Sequence, residues 1–148
     1  MKQLIFYSDN SWAGFILRLI IGVVMLPHGA QKLLGSFGGY GFRSTMSYFT
    51  DTMKLPSMIA MMIIFIEFFG SLAFILGVSS RLWALLFIII MAGAIVTTNY
   101  KFGFFMNWFG SQKGEGFEYH LLVIGICMGL LFTGSGKYSL DRLLNTGW

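Results

Sequence analysis

Long apolar runs, at about 12–34, 57–76, 82–98 and 118–132, alternate along the chain with two glycine- and aromatic-rich stretches. As a helix the first run would extend about 34 Å, enough to cross a bilayer with some tilt. Trp12 opens it as an interfacial anchor, and Pro27 should bend it or free the carbonyl near Val23. Pro56 and Ser57 suit the first turn of the second run. The pattern predicts an all-α fold: a four-helix transmembrane bundle in one domain over residues 1–148, with short interfacial helices in its long connections.

Each run carries polar groups whose positions matter. At about 100° per residue, Arg18, Gly22, Met25, Gly29 and Lys32 share one stripe of the first helix, with His28 beside it. Glu67 shares a face with Gly70, Phe74 and Gly77, and Glu118 with Leu122, Gly125 and Gly129. Small residues at this spacing favour close helix approach. Ionisable groups at membrane depth are costly and face a protein interior or a wet cavity. The helices must therefore answer one another's charges.

The connections are distinctive as well. The stretch from Gly35 to Gly41 resembles a phosphate loop in its glycines but lacks the following Gly-Lys-Ser/Thr, so it reads as a re-entrant or capping turn. Phe42 to Lys54 is amphipathic and predicts a short interfacial helix. Lys101 to Gly116 is too aromatic for a solvated loop and reads as a lid on the bundle or a segment dipping into the headgroups. Lys137 to Leu144 forms a terminal amphipathic tail.

Composition sharpens this reading. The chain is 56% hydrophobic and 11% charged, and its mean hydropathy is +0.74, more than a soluble domain of this length can bury. The formal net charge of +4 is dispersed rather than gathered in runs, which points to membrane-surface electrostatics and away from nucleic acid. The single Cys127 lies within an apolar run and excludes an intrachain disulfide, a dithiol redox pair and a cysteine-rich metal site. No cleavable signal is expected before the first run, which should stay as an anchor, and no soluble domain is expected at either end.

Alternating crossings put the termini and the 77–81 turn on one side and both long connections on the other. Depth along the helices then predicts an ion pair between Arg18 and Glu67, and a second between Lys32 and Glu118. On the long-connection side His28, Gln31, Lys32, Asn99, Trp108, Glu118 and His120 form the candidate ligand site, a polar cluster contributed by the first, third and fourth spans. Phe104, Phe105, Trp108 and Phe109 are candidates to cover a bound ring. Lys2, Arg81, Lys137 and Arg142 balance Arg43, Lys54, Lys101 and Lys113, so the positive-inside rule assigns no orientation.

Arg18-x-x-x-Gly22, His28-Gly-Ala-Gln-Lys32-Leu, Glu67-Phe-Phe-Gly70, Gly77-x-x-x-Arg81, Gly116-Phe-Glu118-Tyr and Gly134-Ser-Gly-Lys-Tyr-Ser-Leu-Asp141-Arg together resemble the DoxX family of small four-helix membrane proteins. The resemblance implies a multi-pass protein of the bacterial cytoplasmic (inner) membrane with cytoplasmic termini. It also implies association with quinone-linked oxidoreduction or detoxification, and it marks Arg18, Lys32, Glu67 and Glu118 as motif positions without assigning them catalytic roles. The leading expectation is a redox-associated membrane subunit that binds a quinone-like or other small amphipathic molecule. Whether it is catalytic stays open; if so, it would be a subunit of a quinone-linked oxidoreductase. One alternative is a non-catalytic assembly or chaperone subunit with a membrane or redox protein partner. Another is a haem protein with His28 and His120 as axial ligands. Glycine-lined faces also allow a homo-oligomer, and no metal site is expected.

Overall fold

The computed structural model describes the backbone of residues 8–146 and the side chains of residues 8–144. Lys2, counted above on the termini side, lies outside the described residues. Helix α1 spans Trp12–Leu33 and α2 spans Gly41–Ser47, continued by a π-helical turn at Tyr48–Thr52. Helix α3 spans Ser57–Leu76 and α4 spans Ser80–Ala94, extended by a π-helical turn at Ile95–Asn99 and a 3₁₀ turn at Tyr100–Phe102. Helices α5 (Glu118–Thr133) and α6 (Leu140–Thr146) complete the order. No β-strand occurs among the described residues.

Helices α1 and α3 and the extended α4 (Ser80–Phe102) are long and apolar enough to cross a membrane. The third crossing is longer at both ends than the run at 82–98, because its polar end, Thr97 to Asn99, stays helical. Helix α5 is apolar but shorter. The chain is an all-α membrane bundle: α1 lies chiefly against α3 and α4 against α5, while α1 with α5 and α3 with α4 close the ring. Ile21, Met25, Phe74, Phe87, Cys127 and Leu130 pack at its centre, where the Phe74 and Phe87 rings meet edge to face at 5.3 Å.

The α1–α3 contact is the tightest, because Gly22 and Gly29 let two backbones meet. A Cβ at Gly29 would lie 2.6 Å from the Phe68 Cα, and one at Gly22 would lie 3.0 Å from the Ser71 carbonyl oxygen. The Gly125–Gly129 face behaves differently from the expected close-approach motif. Gly129 faces the Leu17 side chain, whereas Gly125 has open space around it. Pro27 is accommodated inside α1 without ending the helix.

Polar caps build the termini side. The Ser11 hydroxyl accepts from the Gly14 amide at 3.1 Å and starts α1. Gly77, with φ of 71°, ends α3 in the left-handed region that glycine tolerates best. Asp141, fully buried, accepts from the Ser79 and Ser80 amides at 2.7 and 3.3 Å and from the Ser135 hydroxyl at 2.6 Å. A carboxylate some 60 residues away in sequence thus caps the N-terminus of α4.

Arg18 does not pair with Glu67 as depth along the helices predicted. Its guanidinium, 1% exposed, donates to the carbonyls of Ser135 (2.8 Å), Phe74 (3.0 Å), Ile75 (2.5 Å), Lys137 (3.1 Å) and Tyr138 (2.7 Å). A guanidinium has five N–H groups, so these acceptors use its whole capacity. Two of them are carbonyls in the last turn of α3, where a cation is favoured. The rest belong to the segment after α5. Arg18 thus ties three parts of the chain at one depth. The glycine contacts set a register in which Glu67 lies opposite Gly29, eleven residues or about 16 Å along α1 from Arg18. That is beyond the reach of an arginine side chain.

Gly29→Ala is expected to lower the stability of the detergent-solubilised protein by about 1–3 kcal/mol, since a methyl must enter a backbone contact. Gly125→Ala should leave it within about 0.5 kcal/mol. Thermal or denaturant unfolding followed by helical circular dichroism measures both. An unchanged Gly29→Ala protein would contradict the close α1–α3 approach.

Candidate functional site

At the other end of α1, the same register brings Lys32 to Glu67. The ammonium donates to Glu67 Oε2 in an ion pair whose two side chains differ sharply in exposure: 31% for Lys32 and 4% for Glu67. The buried carboxylate is thereby answered, while the lysine keeps donors for another acceptor. Lys32 therefore pairs with Glu67 rather than with Glu118.

Lys32 also borders an open cavity of about 590 Å³. Gln31 and Lys32 of α1 form one wall, Gly38 to Tyr40 another, and Ser44, Thr45 and Tyr48 of α2 and its π-helical turn the third. Gly39 makes the second wall possible, since a Cβ there would lie 2.4 Å from the Gln31 Cα. Gln31 donates to the Phe37 carbonyl at 3.0 Å and fixes the turn. Asp51 closes the π-helical turn from outside. Hydrogen bonds from Ser47 and then Thr50 hold its carboxyl below the usual carboxylate range. Ordinary α-helical geometry gives way to a π turn where Tyr48 meets the cavity, as π turns often do at sites.

Behind the ion pair lies an aromatic and imidazole layer. The Tyr119 ring packs against both His28 (5.9 Å) and His120 (5.8 Å), and its hydroxyl donates to Met25 Sδ at 2.9 Å. Both histidines lie within electrostatic reach of Lys32 and Glu67. The His120 Nδ1 is buried and has no hydrogen-bond partner among the described residues. His28, Lys32 and His120 of the expected cluster are thus gathered around Glu67 and Tyr119, which had not been assigned to it.

The remaining expected members have another task. Asn99 donates to the carbonyls of Glu115 (2.9 Å) and Gly116 (3.4 Å), and Glu118 accepts from the Met106 amide at 3.2 Å. Both hold the connection between α4 and α5 in place. Trp108 projects from that connection with 77% exposure and does not line the cavity. Among the described residues, no group of three or more His, Cys, Asp or Glu side chains is placed to hold a metal ion.

A family model described as DoxX matches residues 13–100, more than half of the chain and including Arg18, Lys32 and Glu67. The chain belongs to the DoxX family. It is 32% identical over 132 residues to "Putative oxidoreductase CatD" of Bacillus subtilis (strain 168), covering 89% of this chain and 87% of that protein. It is 30% identical over 133 residues to "Inner membrane protein YqjF" of Escherichia coli (strain K12), covering 90% and 92%. No solved structure matches. The DoxX membership and the apolar helices make this a membrane protein in contact with the lipid bilayer.

Because Glu118 serves the backbone of the connection, Glu118→Ala should raise hydrogen exchange at the Met106 amide by roughly tenfold to a hundredfold, the loss of one hydrogen bond to a charged acceptor. Exchange mass spectrometry or NMR reads this directly. Equal protection in wild type and variant would show that the carboxylate does not hold that amide.

Proposed function

We propose that this DoxX protein is a small inner-membrane subunit of a redox or detoxification system that binds a quinone-like amphipathic molecule in the cavity beside Lys32. One observation carries the reading: a lysine half-withdrawn into a buried ion pair also borders an open cavity of ligand size. A carbonyl or phenolic oxygen placed there would accept from the Lys32 ammonium, with Ser44, Thr45 and Tyr48 hydroxyls nearby as further partners. The apolar body of the ring would lie against Tyr48 and Phe49.

The protein's part is binding and proton supply. Electrons for any reduction of the ring come from a separate redox partner. Lys32 and Glu67 share a proton-bearing contact next to the bound oxygen, and His28 and His120 form the layer that exchanges protons with it. The name of the Bacillus relative, an oxidoreductase, agrees with this reading, and that of the Escherichia relative agrees with an inner-membrane location.

Titration of a short-chain quinone into the purified protein tests it, together with mass spectrometry of what copurifies in mild detergent. Lys32→Met should weaken binding by about tenfold to a hundredfold, as expected for loss of a hydrogen bond from a charged donor, while Asn99→Ala leaves it unchanged. Equal binding by wild type and Lys32→Met, with no quinone in the extract, would overturn the proposal. A Soret band would instead favour haem on His28 and His120. A stoichiometric membrane protein partner indifferent to Lys32 would favour an assembly subunit.

A further inference from the structure

Helix α5 is too short for the bundle it belongs to. It has 16 residues, about 24 Å, against 23 residues and about 34 Å for the adjacent α4 with its extension. The start of α4 and the end of α5 are level on the termini side, where the Ser80 and Ser135 hydroxyls meet at 2.6 Å and Arg81 reaches the Phe132 carbonyl at 2.9 Å. The shortfall of about 10 Å therefore lies wholly on the other side, above Glu118. Residues 103–117 fill it by running back along the end of α4. The Phe117 and Glu118 amides bond to the Gly103 and Phe104 carbonyls at 3.2 and 2.9 Å, and Phe117 stacks on Tyr100 at 6.2 Å.

Irregular backbone at membrane depth must have its polar groups answered within the protein. This connection does so with the half-buried Glu118 and Asn107 and the exposed Glu115. Glu118 takes the Met106 amide, and Glu115 takes that of Asn107 at 2.8 Å. Asn107 closes the tip by exchanging two bonds with the Gln112 backbone, at 3.2 and 2.9 Å. Gly116 is required for the tight return, since a Cβ there would lie 2.2 Å from the Phe105 carbonyl oxygen. The two limbs differ in character. Phe105, Trp108 and Phe109, exposed by 68, 77 and 94%, stand on the outgoing limb, and Ser111, Lys113 and Glu115 on the return limb.

We infer that residues 103–117 are a re-entrant segment that completes the fourth crossing, with its aromatic limb seated in phospholipid at the acyl–headgroup boundary and its polar limb in water. The lipid is favoured over a protein partner by continuity: the aromatic limb extends the bilayer-facing surface of α4 at the depth that α5 leaves uncovered. Aromatic side chains suit that boundary, being apolar in body and tolerant of the interface. The segment is a rigid membrane-seated cap, not a mobile lid.

Spin labels at Phe105→Cys, Phe109→Cys and Lys113→Cys, each in a Cys127→Ala background and reconstituted into phosphatidylcholine bilayers, test this by collision with oxygen and with a water-soluble nickel chelate. All three labelled positions are at the surface. Leu122→Cys, exposed on α5, supplies the lipid-facing reference. The ratio of oxygen to nickel accessibility at 105 and 109 should approach that at 122 and exceed that at 113 several-fold. Nickel accessibility at 109 equal to that at 113 would place the limb in water and overturn the inference. Low accessibility of 105 and 109 to both reagents would place a protein there instead and overturn it equally.

Discussion

The structure depends on how closely α1 and α3 approach. Gly22 and Gly29 allow backbone contact with Ser71 and Phe68, and that contact fixes which groups face each other at every depth. With no hydrophobic drive between helices in lipid, such packing and the polar bonds it aligns are what hold a pair together. From this one register follow both the isolation of Arg18 from Glu67 and the meeting of Glu67 with Lys32.

The two ends of α1 then carry opposite kinds of polar chemistry. Arg18 is saturated: its donors serve carbonyls from α3 and from the segment after α5, and it has nothing left for a ligand. With Asp141 capping α4, it makes the termini side a structural clasp. Lys32 is unsaturated, since its pairing with Glu67 leaves donors at an open cavity. Buried polar groups that are fully answered specify structure, while partly answered ones beside a cavity are where function is sought.

Most of the crossings were legible in the sequence, because apolar length and glycine-rich interruptions report directly on membrane spans. The short helix after Tyr40 was legible too. The partners of the charges were not. Matching depths from the ends of runs does not fix a register, and here a shift of about two turns decides whether Glu67 answers Arg18 or Lys32. The glycines at 22 and 29 were visible as a stripe, yet their opposing residues on α3 were not. Arginine's true partners were backbone carbonyls, which leave no trace in residue identity. Asn99 and Glu118 looked like site residues because they lie near the same membrane face as Lys32. Their neighbours are instead the amides and carbonyls of a connection whose path the sequence does not display.

The register of α1 on α3 is therefore the claim to test most directly, by double-mutant cycles on unfolding of the solubilised protein. Lys32→Met and Glu67→Gln should couple by about 0.5–3 kcal/mol, the pair being less harmful than the sum of the singles. Arg18→Lys and Glu67→Gln should add to within about 0.5 kcal/mol. Coupling of Glu67 to Arg18 with additivity toward Lys32 would contradict the account.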